Sequence, residues 1–146
     1  VDDREMRSRE KFLLFLYSIS IILSALLFYW SGVYCQYNRC SLTWPERNRQ
    51  YAQIFPMCAA PLIIAFSLCW LLANSIFMQA SYRNRYSYLE MPTAVGCSLL
   101  AGICAVIEFH HSIDYAFLHW SEKWSFAAVD STALAFLHAV IAFALQ

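Results

Sequence analysis

FLLFLYSISIILSALLFYWSGV, residues 12–33, carries no charged side chain. Its length matches the ~20 residues that a helix needs to cross the hydrocarbon core of a bilayer. Three more apolar blocks follow, at about 54–80, 91–117 and 125–146. The chain has 146 residues, 60% of them hydrophobic and 14% charged, whereas a soluble domain carries roughly 25% charged residues. Four such blocks leave too little polar surface to cover them in water. The sequence predicts an all-α membrane protein: a single domain forming a four-transmembrane-helix bundle, with antiparallel neighbours and short loops.

The same composition excludes other classes. The formal net charge is zero, so the basic footprint of a nucleic-acid-binding protein is missing. No phosphate loop, dinucleotide fingerprint or zinc-finger spacing occurs, and no cofactor is expected. Basic residues set the orientation. Arg4, Arg7, Arg9 and Lys11 precede the first block, and Arg83 and Arg85 lie between the second and third. Arg39, Arg47 and Arg49 occupy the first loop and Lys123 the third. Six against four favours cytosolic termini under the positive-inside rule, in the plasma membrane or an endomembrane. Trp30, Trp44, Trp120 and Trp124 then form an outer aromatic belt, and Tyr82, Tyr86 and Tyr88 an inner one.

VIEFHHSIDYAFLHW, residues 106–120, places ionisable groups at the outer end of the third block. Such groups inside a membrane call for a functional hypothesis with a named partner. With the third loop centred near Ser121, Asp130 is level with Ser112, close to His110 and His111. The expected arrangement is a polar clamp of Glu108, His110, His111 and Asp130, joining the third helix to the fourth by a hydrogen bond from His110 or His111 to Asp130. Imidazole and carboxylate ligands also suit zinc or iron, which makes a membrane enzyme the alternative. The bland reading, a structural cluster without metal, is preferred. His110 and His138 fall too far apart along the axis to ligate one haem.

Helices in lipid associate through small residues and polar contacts. Ala101, Gly102 and Ala105 on the third helix, and Ala127, Ser131, Ala135 and Ala139 at strict four-residue spacing on the fourth, are the expected seam. Ala135 should then tolerate enlargement less well than Leu134 tolerates truncation. The bulky faces of the first helix are read as lipid or partner contact. Pro56 and Pro61 are placed in the first turns of the second helix. Cys58, Cys69, Cys97 and Cys104 are read as buried packing residues.

Cys35 and Cys40 are the only cysteines outside the apolar blocks. On the oxidising side of a membrane they are expected to join as a disulfide. Trp30, Gly32, Tyr34, Cys35 and Cys40, with four spans and cytosolic termini, resemble the first-loop signature of the claudin and peripheral-myelin-protein superfamily. That family also includes auxiliary subunits of receptors and channels. GVYC departs from the family's usual Gly-Leu-Trp followed two residues later by Cys, and the loop is too short for the family's full sheet. The resemblance therefore implies an accessory subunit rather than a paracellular barrier. The partners implied are a larger integral membrane protein and membrane lipids. A MARVEL-like lipid- or vesicle-organising protein fits the loop lengths as well.

Overall fold

The computed structural model describes residues 3–36, 39–42, 54–75, 87–114 and 121–146. Four helices dominate them: α1 (Asp3–Gly32), α2 (Ile54–Ser75), α3 (Glu90–Asp114) and α4 (Ser121–Ala144). All four are long and apolar enough to cross a membrane, and the chain is a four-helix bundle of the multi-pass membrane type. The backbone follows from the solvent, since in lipid every amide must find its partner within the segment. Packing is densest between α3 and α4, strong between α1 and both α2 and α4, and sparse between α2 and α3.

Each helix buries one stripe. Leu13, Tyr17, Ser20, Ser24, Leu27 and Ser31 form that of α1, and Pro56, Ala60, Ile63 and Ser67 that of α2. Glu90, Ala94, Cys97, Ala101, Cys104, Glu108 and His111 form that of α3, and Trp124, Ala127, Ser131, Leu134, His138 and Ile141 that of α4. The steps alternate between three and four residues. This 3.5-residue repeat keeps a seam facing its partner, as in left-handed helix packing.

That repeat corrects the expected seam. A strict four-residue step drifts about 40° around a helix each time, because 3.6 residues make a turn. Ala127 and Ser131 are fully buried, Ala135 is half-buried and Ala139 is exposed. On α3, Ala101 and Ala105 are buried, while a Cβ added to Gly102 would meet nothing within 4 Å. Gly102 is not a close-approach residue. Leu134, not Ala135, belongs to the core. Two cysteine readings also change, since Cys97 and Cys104 are buried but Cys58 and Cys69 are exposed on the bundle's surface. Pro61 lies inside α2, past its first turn, and removes one backbone donor there.

The first loop begins as an antiparallel hairpin, β1 (Val33–Gln36) with β2 (Arg39–Leu42). Cys35 and Cys40 are direct Cα partners in its register. Trp44, Trp120, Tyr82 and Tyr86 lie outside the described residues.

Candidate functional site

Polar side chains climb through the bundle interior in tiers. At the end where α1 begins, the Tyr17 hydroxyl donates to Glu90 Oε1 at 2.7 Å. Asn74 Nδ2 donates to the same oxygen at 3.1 Å, and to the Trp70 carbonyl at 2.8 Å. Glu90 opens α3, where the positive end of the helix dipole favours a carboxylate. One carboxylate oxygen thus ties α1, α2 and α3.

One turn further along α1, Ser20 Oγ lies 2.8 Å from Ser67 Oγ and 2.8 Å from His138 Nε2. All three side chains are fully buried, so α1, α2 and α4 meet on a single hydroxyl. A serine beside an imidazole is also nucleophile-and-base geometry. Here the hydroxyl has no exposure at all, so no substrate carbonyl reaches it in this packing, and the group acts as a cross-bundle tie. Ser98 Oγ donates to the Ala135 carbonyl at 2.9 Å and joins α3 to α4.

The expected clamp at the other end comes apart. Glu108, His111 and Asp130 are buried, but His110 is exposed and pairs along its own helix with Asp114, Nε2 to Oδ2 at 2.8 Å. His111 Nδ1 lies 2.8 Å from the Ile107 carbonyl. A carbonyl only accepts, so Nδ1 carries the proton. The His111 ring meets Trp124 edge-on, with centroids 5.8 Å apart. Among the described residues neither oxygen of Asp130 has a hydrogen-bond partner. The expected bond from His110 or His111 to Asp130 is not formed.

Two physical reasons account for this. α4 begins at Ser121, so the connection is centred before that residue. Ser98 facing Ala135 and His111 facing Trp124 put Asp130 level with about Cys104 rather than Ser112, a slip of ~12 Å at 1.5 Å per residue. The direction is wrong as well. At 100° per residue, Asp130 lies about 40° around α4 from Phe126 and about 120° from Trp124. Phe126 meets Trp30 of α1 at 5.7 Å, whereas Trp124 meets α3. Asp130 therefore occupies the α1 flank of its helix. Among the described residues the buried Ser24 and Ser131 hydroxyls likewise have no hydrogen-bond partner.

Among the described residues no three His, Cys, Asp or Glu side chains converge to hold a metal ion. The tiers built on Tyr17, Ser20, Ser67, Asn74, Glu90 and His138 were not expected. Their signal was the 3.5-residue repeat, which puts Tyr17, Ser20, Ser67, Glu90 and His138 on the buried stripes. No family model, no curated protein and no solved structure matches this chain.

Proposed function

We propose that the protein is a non-enzymatic tetraspan subunit that docks onto a larger integral membrane protein, such as a channel, receptor or adhesion assembly. The observation that carries this reading is where the reactive side chains go. Tyr17, Glu90, Ser20, Ser67 and His138 are all buried and hydrogen-bonded from helix to helix. The outward faces are aromatic and aliphatic instead, with Phe15, Ile22, Leu99, Val106, Phe136 and Phe143 each 60–77% exposed. A protein that spends its polar groups on internal ties and keeps a bulky apolar exterior is suited to lateral association.

The finer parts of the proposal follow from the sequence. Both termini are cytosolic, in the plasma membrane or an endomembrane. The hairpin is a non-cytosolic cap closed by a Cys35–Cys40 disulfide, which the facing register of the two residues supports. Resemblance to the claudin and peripheral-myelin-protein superfamily supports the accessory role. Purification from native membranes in mild detergent, followed by cross-linking mass spectrometry, should recover one larger membrane protein in stoichiometric amount. Recovery as a free monomer, or dispersal in vesicles without a fixed partner, would count against it.

A further inference from the structure

Asp130 stands apart from the helix-to-helix ties. It is 5% exposed, and among the described residues neither carboxylate oxygen has a hydrogen-bond partner. Its place on α4 is the edge of the buried stripe. At 100° per residue, Ala127, Ser131 and Leu134 lie to one side of it, and all three are fully buried. Phe126, Val129 and Ala133 lie to the other side, and all three are exposed. The outer side is the α1 flank, where Phe126 meets Trp30. Ser20 against His138 and Trp30 against Phe126 put Asp130 level with about Leu27. Leu26, one turn before Trp30 on the same face of α1, is exposed as well. Asp130 thus lies just beneath the outer rim of the α1–α4 seam, and in a membrane that rim faces lipid.

The spans supply no cation to balance it. None of the ten Lys and Arg residues lies within 12–33, 54–75, 90–114 or 124–146. Lys123, the nearest along α4, is ~10 Å away toward the start of the helix, and its ammonium sits 5.4 Å from the centre of the Tyr29 ring. Among the described residues no three His, Cys, Asp or Glu side chains gather to hold a metal ion. An ionised carboxylate left alone inside a bilayer is costly. Protonation does not resolve the problem, since a neutral carboxyl still carries a donor and acceptors to be met.

We infer that the α1–α4 seam docks a transmembrane helix of the partner protein, whose Lys or Arg side chain pairs with Asp130. The inference rests on the docking reading above and names the chemistry of the partner. Ionisable groups within a membrane pair with one another, and here the acid is present in the chain while the base is not. A basic side chain neutralises the carboxylate and donates to it, and a guanidinium can meet both oxygens at once. The long apolar stem of Lys or Arg carries the charged head past the rim, while the helix that bears it rests on Val129 and Ala133. Ala133 has only a methyl group, so it obstructs the approach least. A second copy of this chain does not fit, because its own spans offer no Lys or Arg at that depth.

The test is photo-cross-linking of the full chain in native membranes. Photoreactive benzoylphenylalanine replaces either Val129, 63% exposed beside Asp130, or Leu99, 65% exposed on α3. Cross-links to a larger membrane protein should form from position 129 and not from position 99. Peptide mass spectrometry should place them in a transmembrane segment of that protein that carries a Lys or Arg. Asp130→Leu should reduce the yield from position 129 on the order of tenfold or more, as loss of one partner of a buried charge pair does. Asp130→Glu, which keeps the carboxylate, should retain most of it. A cross-linked segment without a basic residue, an undiminished yield in Asp130→Leu, or a second copy of this chain at position 129 would overturn the pairing. So would stabilisation of the purified chain by sodium chloride over choline chloride that Asp130→Leu abolishes, which would assign the carboxylate to an inorganic cation. Cross-links to a larger membrane protein from position 99 alone would overturn the seam and leave the docking reading standing. No such cross-link from either position would overturn both. Should Asp130→Leu fail to fold, the sequence of the cross-linked segment decides alone.

Discussion

His138 reaches across the bundle to Ser20, Nε2 to Oγ at 2.8 Å, and so joins the last helix to the first. The same hydroxyl meets Ser67, so one polar point fixes the rotation of three helices. In lipid, where apolar burial between helices gives little drive, such bonds average ~0.6 kcal/mol and reach ~1.7. A double-mutant cycle of Ser20→Ala and His138→Leu, read by reversible unfolding in mixed micelles, should give a coupling of about 0.5–1.5 kcal/mol. Strict additivity would mean that the two side chains do not hold each other.

The Tyr17–Glu90 tie is expected to act at the opposite end from the hairpin. Tyr17 is 2% exposed and donates to a carboxylate. Removing the hydroxyl in Tyr17→Phe leaves Glu90 Oε1 with only the longer bond from Asn74. The loss should be about 1–3 kcal/mol, the cost of depriving a buried acceptor of a partner. Tyr29→Phe is the control, since Tyr29 is 42% exposed and its ring, which lies 5.4 Å from Lys123 Nζ, survives the change. Thermal unfolding in detergent should separate the two variants clearly.

How much of this was legible depends on what each feature obeys. Four spans are a matter of length and hydropathy, and residues 12–33 alone establish the principle. The seam between α3 and α4 was half legible. Ala101, Ala105, Ala127 and Ser131 are small and do pack, but a four-residue spacing departs from a buried stripe that steps by 3.5. Ala139 therefore falls on the exposed side of α4, and Gly102 beside the α3 stripe with open space at its Cβ position. The level of Asp130 depends on where α4 begins, and helix ends near polar residues are the least determined by pattern. The tie between Ser20 and His138 joins residues far apart in the chain. Only the stripes hinted that both face inward.

The corrected seam has a direct consequence. Leu134→Ala removes a fully buried side chain from the main core cluster and should cost about 2 kcal/mol or more. Ala139→Leu, on an exposed position, should change stability by no more than ~0.5 kcal/mol. Gly102→Ala has open space for its Cβ and should stabilise the helix by up to ~1 kcal/mol. Unfolding midpoints of the three variants should rank in that order, with Gly102→Ala highest.

The hairpin predicts its own chemistry. Cys35 and Cys40 face each other across β1 and β2, and closing so short a loop should contribute about 2 kcal/mol on the chain-entropy account. Alkylation without reductant, followed by peptide mass spectrometry, should find both thiols blocked in protein taken from native membranes. Two free thiols would place the hairpin on the reducing side and reverse the orientation.

Asp130 separates the expected clamp from the observed packing. In a clamp, Asp130→Leu would strip a histidine of its partner and loosen the bundle, and Asp130→Asn would be tolerated. In the observed packing Asp130 is 5% exposed and, among the described residues, without a hydrogen-bond partner, on the flank facing α1. A buried group left unmet costs about 1–3 kcal/mol, and replacing it by an apolar side chain of similar size removes that cost. Asp130→Leu should therefore leave the unfolding midpoint unchanged or raise it, and Asp130→Asn should fall between Leu and the unaltered chain. His111→Phe, by contrast, removes the bond to the Ile107 carbonyl while keeping an aromatic ring against Trp124, and should lower stability by about 0.5–1.5 kcal/mol. Additivity of Asp130→Leu with His111→Phe would show that the two side chains act separately. A large destabilisation by Asp130→Leu, relieved by Asn, would restore the clamp and move the register of α4 back toward the third loop.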